Sequence, residues 1–165
     1  MNNFRIGTGE DSHAFSQNFL PQKPLTLGGI IFENEKKSFE ANSDGDVFFH
    51  AICNSILSSV GEKTLDSFAK KMCDDGIINS QKYVEKSLEI VKNKFPNFCI
   101  QNIVISYEGK IPKIAPKHDL IQKNIAKILG LDLSQVGLTY TSGENLSAFG
   151  KGLGGRCLVN VLIKK

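Results

Sequence analysis

The chain has 165 residues, 41% of them hydrophobic and 22% charged, with 20 Lys+Arg against 17 Asp+Glu for a net charge of +3. That length suits a single domain spanning 1–165, able to bury roughly 70% of its unfolded surface. The balance excludes a disordered tail and a strongly basic nucleic-acid binder, and no apolar run approaches the roughly 20 residues of a bilayer span.

Residues 3–9 and 25–32 read as short strands, with Pro21 and Pro24 punctuating the loop between them and Gly28-Gly29 marking a bulge or tight bend in the second. From Ser43 the chain runs Ser-Asp-Gly-Asp into the apolar stretch Val47 to Leu57, which predicts a buried helix. Ser43 and Asp44 are good N-cap types, and Asp46 suits the first turn. Residues 61–79 are charged and weakly patterned, and no element is assigned to them. Ser80 then caps an amphipathic helix carrying Val84, Leu88, Val91 and Phe95, which Pro96 and Asn97 stop. Ile100 to Tyr107 has strand composition, and 119–129 makes a second amphipathic helix with Gly130 at its C′ position. Strands at 136–141 and 156–163 follow, separated by a Gly- and Ser-rich segment too polar for core.

The expected order is β-β-α-α-β-α-β-β, an α+β fold with a mixed sheet and helices packed on one face. The sheet's other face is then a candidate surface for oligomerisation. Met1 to Arg5 lacks the layout of a signal peptide, so the mature chain is expected to begin here and to be cytoplasmic. Cys53, Cys73, Cys99 and Cys157 are far apart with no CxxC pair, which fits a reducing compartment and small buried hydrophobes.

Two of the three histidines stand where chemistry is possible. In an extended strand Asp11 and His13 project from the same side, and their oxygen and nitrogen can share one small cation. His50 lies one turn after Asp46 on the apolar helix, so Asp46 could hold one ring nitrogen and leave the other to ligate. Asp11, His13 and His50 thus form a three-ligand set with an open fourth position, the pattern of a catalytic zinc. A polar strand end and a hydrogen-bonded core histidine are the plain alternatives. His118, near a helix start, reads as solvated or capping.

Other segments suit phosphate. Asn42-Ser43-Asp44-Gly45 leads into a helix N-terminus, where free N–H groups favour anions. Thr141-Ser142-Gly143-Glu144 offers two hydroxyls and a carboxylate able to hold a hard cation such as Mg2+. Lys113, between Pro112 and Ile114, is another candidate phosphate contact, although the clusters also read as ordinary turns and the lysine as a solvated one.

The ordered set Arg5-Ile6-Gly7-x-Gly9-x-Asp11-x-His13-x-Phe15, Leu27-Gly28-Gly29 and Ser43-Asp44-Gly45-Asp46-Val47-x-x-His50-Ala51 resembles the 2-C-methyl-D-erythritol 2,4-cyclodiphosphate synthase family. The resemblance resumes at Pro112-Lys113 and Thr141 to Leu146, and covers nearly the whole length except 61–79. It implies conversion of 4-diphosphocytidyl-2-C-methyl-D-erythritol 2-phosphate to a cyclic diphosphate with release of CMP, a lyase step of non-mevalonate isoprenoid synthesis. It also implies a homotrimer with sites at subunit interfaces, zinc on Asp11, His13 and His50, and a second divalent ion, Mg2+ or Mn2+, on Glu144. Ser142, or Thr141, would stand near the reacting diphosphate, Ser43 would touch substrate, and backbone from Gly109 to Lys113 would contact the cytidine.

The departures are specific. Asn42 replaces the family's histidine, which helps stabilise the transition state; asparagine donates a hydrogen bond but carries no charge. Thr8 also replaces a histidine, Lys151 stands for an arginine near the trimer axis, and the Phe-Pro-Asp-Thr-Asp lid loop has no counterpart in 61–79. Two rival readings follow: a zinc-dependent phosphohydrolase acting on another diphosphate, and an inactive paralogue binding nucleotide or isoprenoid phosphate. Retention of Asp11, His13, His50 and Glu144 together favours the enzyme.

Overall fold

The computed structural model describes residues 3–164. Its first strand, β1, runs Phe4–Ala14, and a small hairpin follows from β2, Thr26–Leu27, and β3, Ile30–Ile31. Three helices come next: α1 Val47–Ser59, α2 Asp66–Asp74 and α3 Ser80–Lys94. The chain then forms β4 Cys99–Glu108, α4 His118–Leu129, β5 Val136–Thr141 and β6 Gly154–Lys164. The main sheet has the order β1-β6-β4-β5, antiparallel except for the β4–β5 pair, which α4 connects as a parallel crossover. This is the expected α+β arrangement, with one added strand and one added helix.

Alternation along β1 explains how the layers meet. Gly7 and Gly9 are buried, as the odd positions of a strand packed on α1, while the even positions are exposed. A Cβ at Gly7 would lie 1.9 Å from the Ser55 carbonyl oxygen, and one at Gly9 would lie 2.1 Å from that of Ala51. Only hydrogen at these two positions lets α1 lie this close to the strand. The helix contributes Val47, Phe48, Ile52, Ile56 and Leu57 to a core that also takes Ile103 and Ile105 from β4 and Val159 and Val161 from β6. On the sheet's other face Ile6 and Val104 are exposed, Thr8 donates to Asn160 at 2.8 Å, and Arg156 pairs with Glu10 through two bonds of 2.7 and 3.0 Å.

Several expectations are corrected. The first strand continues to Ala14, because the Asp11 to His13 segment keeps pairing with β6. The 25–32 run is two short strands and not one, although the tight bend falls at Gly28 and Gly29 as expected, both at positive φ (58° and 76°). Asp46, not Ser43 or Asp44, caps α1, and Asn79 caps α3 in place of Ser80. Residues 66–74 are helical: Leu65, Phe68, Ala69, Met72 and Cys73 repeat at helical spacing that intervening charges obscured. His118 opens α4 with its ring edge-on to Tyr140 at 6.0 Å, half-buried and capping nothing. All four cysteines are free, but only Cys53 and Cys157 are buried; Cys99 is exposed at the start of β4.

Candidate metal and phosphate site

The carboxy-terminal end of β1 and the first turn of α1 bring three donor atoms together. Asp11 Oδ2 lies 3.0 Å from His50 Nδ1 and 3.2 Å from His13 Nε2, and the two histidine nitrogens are 3.3 Å apart. Asp11 and His13 reach the same side of β1 because they are two residues apart, as the alternation requires. Burial works against ionising Asp11, yet hydrogen bonds from His13 and His50 hold its carboxyl down at about 2.

Asp46 plays a different part from the one expected of it. Fully buried, it accepts the N–H groups of Gly28 (2.9 Å), Gly29 (2.7 Å), Phe48 (3.1 Å) and Phe49 (3.3 Å), tying the β2–β3 turn to the α1 N-terminus. Burial raises its carboxyl to about 7, with the neighbouring Asp44 adding to the shift and the N–H donors opposing it. His50 is held instead by Ser80 Oγ, 2.8 Å from Nε2, and by Ser43 Oγ at 3.1 Å. Ser80's hydroxyl donates to Asp44, whose carboxylate also accepts the Ser80 N–H at 2.9 Å. An ionised carboxylate only accepts, so this order of donors places a proton on His50 Nε2 and turns Nδ1 toward Asp11 and His13.

Around this cluster lies a cleft of about 180 Å3, lined also by Asn42, Ser43, Asp66, Lys70 and Tyr83. Tyr83 stacks on His50 at 6.0 Å and anchors its hydroxyl on the Ile77 carbonyl at 2.7 Å. Sequence marks Ser80 only as a helix cap, and gives Tyr83 and the α2 residues no part in a site. The helical spacing of 65–73 was the signal for α2, whereas the pairing of Ser80 with His50 joins residues 30 apart and leaves no local trace.

The remaining expected residues gather elsewhere. Gly109, Lys113, Thr141 and Ser142 line a second cavity of about 180 Å3, walled by Tyr107 and Tyr140. It sits at the same end of the sheet, by the ends of β4 and β5, with β6 between those strands and β1. Glu144 and Lys151 are exposed and line neither of the two cavities. Glu144 accepts from Ser142 Oγ and sits at φ 46°, between Gly143 at 72° and Asn145 at 61°. A non-glycine pair in this region is a local backbone strain of the kind that gathers at functional loops.

Taken together, the α+β fold defines a protein with a three-donor candidate metal centre beside a helix N-terminus. The chain belongs to the YgbB family, whose model matches residues 4–164. A relative from Chlamydia trachomatis serovar L2b, named 2-C-methyl-D-erythritol 2,4-cyclodiphosphate synthase, is 42% identical over 155 residues, covering 93% of this chain and 84% of that protein. Its namesake from Chlamydia muridarum is 43% identical over the same shares. Among solved structures, IspF of Plasmodium falciparum in complex with CDP superposes with TM-score 0.83 at 30% identity, covering 99% of this chain and 97% of that one. The bifunctional IspDF of Campylobacter jejuni gives TM-score 0.86 at 27% identity, covering 99% of this chain and 43% of that one.

Proposed function

We propose that this chain is a cyclodiphosphate synthase, a phosphorus–oxygen lyase that converts 4-diphosphocytidyl-2-C-methyl-D-erythritol 2-phosphate to the 2,4-cyclodiphosphate and CMP. The observation that carries the reading is the convergence of Asp11 Oδ2, His13 Nε2 and His50 Nδ1 at 3.0–3.3 Å beside the α1 N-terminus. The naming of its relatives and the CDP in the Plasmodium falciparum structure point the same way.

The donor set fits a metal ion. Tetrahedral ligands about 2.05 Å from zinc stand roughly 3.3 Å apart, close to the size of this triangle. His50 Nδ1 and Asp11 Oδ2 stand 3.0 Å apart, a separation that calls for either a shared proton or a shared cation between them. Asp11, His13 and His50 would hold the zinc, with Glu144 as ligand of a second divalent ion, Mg2+ or Mn2+. Such ions neutralise phosphate charge and polarise phosphorus–oxygen bonds.

The chain's own residues bind and align. A 2-phosphate oxygen of the substrate attacks the β-phosphorus, a new P–O bond forms, and the bond to the CMP oxygen breaks with its electron pair leaving on CMP. No protein nucleophile is needed, so catalysis is positioning plus electrostatics. Asn42 donates to a phosphate oxygen, Ser43 keeps His50 oriented, and the Gly109–Lys113 backbone with Thr141 and Ser142 receives the cytidine diphosphate. In one chain those two groups of residues line separate cavities. A homotrimer that joins the first cavity of one subunit to the second of its neighbour would complete the site, using the sheet face on which Ile6 and Val104 are exposed.

The test combines metal content, mass in solution and CMP release. One zinc per chain, a threefold assembly and release of CMP with the cyclic product support the reading. His50→Ala should lose both zinc and CMP release while keeping the fold. Hydrolysis of simple phosphodiesters without cyclisation, or undiminished turnover in zinc-free His50→Ala, would overturn it.

A further inference from the structure

We infer that α2 is a working wall of the metal cleft and that Lys70 on it is a phosphate-binding residue, an assignment that deepens the function proposed above. Leu65, Ala69 and Cys73 line the cleft at i, i+4 and i+8, so one stripe of the helix faces it, with Asp66 and Lys70 at the rim of that stripe. Among the described residues, the cleft is lined by the carboxylates Asp11 and Asp66, the neutral amide Asn42, and one side chain of fixed positive charge, Lys70. A substrate carrying a phosphate and a diphosphate needs donors aimed at its oxygens, and a lysine is a mobile point charge suited to that task.

Lys70 is free to change partners. Its ammonium bonds Asp74 at 2.9 Å one turn along the helix, with the lysine side chain 80% exposed. Exposed pairs of this kind are weak and exchange readily with a more highly charged anion. Removing the lysine would also leave Asp66 facing an anionic substrate with no cation on the same wall.

The neighbouring residue provides an internal control. Lys71 makes the equivalent bond to Asp75 at 2.9 Å and is 81% exposed, but it does not line the cleft. The two lysines therefore match in charge, helix and pairing, and differ in direction alone.

Two measurements on the zinc-loaded assembly test the assignment: steady-state CMP release, and calorimetric binding of inorganic pyrophosphate. Lys70→Ala should lower kcat/KM by roughly tenfold or more, chiefly through KM, as for a lost hydrogen bond to a charged group. It should weaken pyrophosphate binding by a similar factor while zinc content and assembly stay unchanged. Lys70→Arg should recover most of both losses, and Lys71→Ala should match the unaltered protein. Equal behaviour of Lys70→Ala and Lys71→Ala in both measurements would overturn the inference, whether the two are equally active or equally impaired. Absence of CMP release from the unaltered protein would instead overturn the proposed function, and pyrophosphate binding would still judge Lys70.

Discussion

Ser80 Oγ stands 2.8 Å from His50 Nε2, so the residue that opens α3 fixes the ring of the one histidine on α1. Because the Ser80 hydroxyl donates its hydrogen bond to Asp44 and accepts from Nε2, the ring is set with Nδ1 toward Asp11 and His13. Ser80→Ala removes that acceptor and keeps the Ser80 N–H bond to Asp44, so the helix start should survive. Zinc affinity is predicted to fall by roughly tenfold to a hundredfold, the usual effect of losing a group that orients a ligand. Competition with a chromophoric chelator measures it, and unchanged affinity would mean that Ser43 alone orients the ring.

The close approach of α1 to β1 gives a second prediction. A methyl at position 9 would meet the Ala51 carbonyl at 2.1 Å and the Ser55 nitrogen at 2.3 Å, both backbone atoms that cannot swing aside. Gly9→Ala should therefore destabilise the fold by about 3 kcal/mol and disturb Asp11 two residues on. Gly137→Ala on β5 is the control, since its nearest neighbour would lie at an ordinary 3.6 Å and its φ is not positive. Urea unfolding of both variants should separate them, with Gly137→Ala near the unaltered protein.

The same contrast between short-range and long-range information governs what could be read from sequence. Strand alternation put Asp11 and His13 on one side of β1, and the apolar run located α1 almost to the residue. Both are local patterns. Asp46 was assigned to His50 because i and i+4 share a helix face, but capping claimed it: four backbone N–H groups converge on a carboxylate at the start of α1. Two of those donors come from the Gly28-Gly29 turn, a tertiary pairing that no helical periodicity carries. Likewise, charges interleaved with Leu65, Ala69 and Cys73 hid α2, although the burial of Leu65 and Ala69 shows which face decided its conformation.

Asp11 makes metal-free protein acid-sensitive in a defined window. Its folded carboxyl is held near 2, below its ordinary 3.8, by His13 and His50 against the cost of burial. A carboxyl depressed on folding stabilises the native state above its unfolded pKa and loses that contribution as protons bind below it. Chelator-treated protein should thus lose about 2 kcal/mol of stability between roughly pH 4 and pH 2 through this group. Asp11→Asn should show a shallower decline over the same interval in denaturant titrations at fixed pH, and parallel declines would remove Asp11 as the cause.

Asn42 lines the metal cleft as a neutral amide, exposed at the turn that leads into α1. A histidine there could carry positive charge toward phosphate oxygens as charge shifts in the transition state, so Asn42→His is predicted to raise kcat by roughly tenfold with little change in KM. The gain should be larger when Lys70 is already alanine, because the lining then has no other side chain of fixed positive charge among the described residues. Four proteins, the parent, each single variant and the double, give the coupling directly from kcat/KM. Strictly additive effects would mean that positions 42 and 70 meet different parts of the substrate, and a lower rate in Asn42→His would mean that the amide's hydrogen bond, not the missing charge, is what the turn supplies.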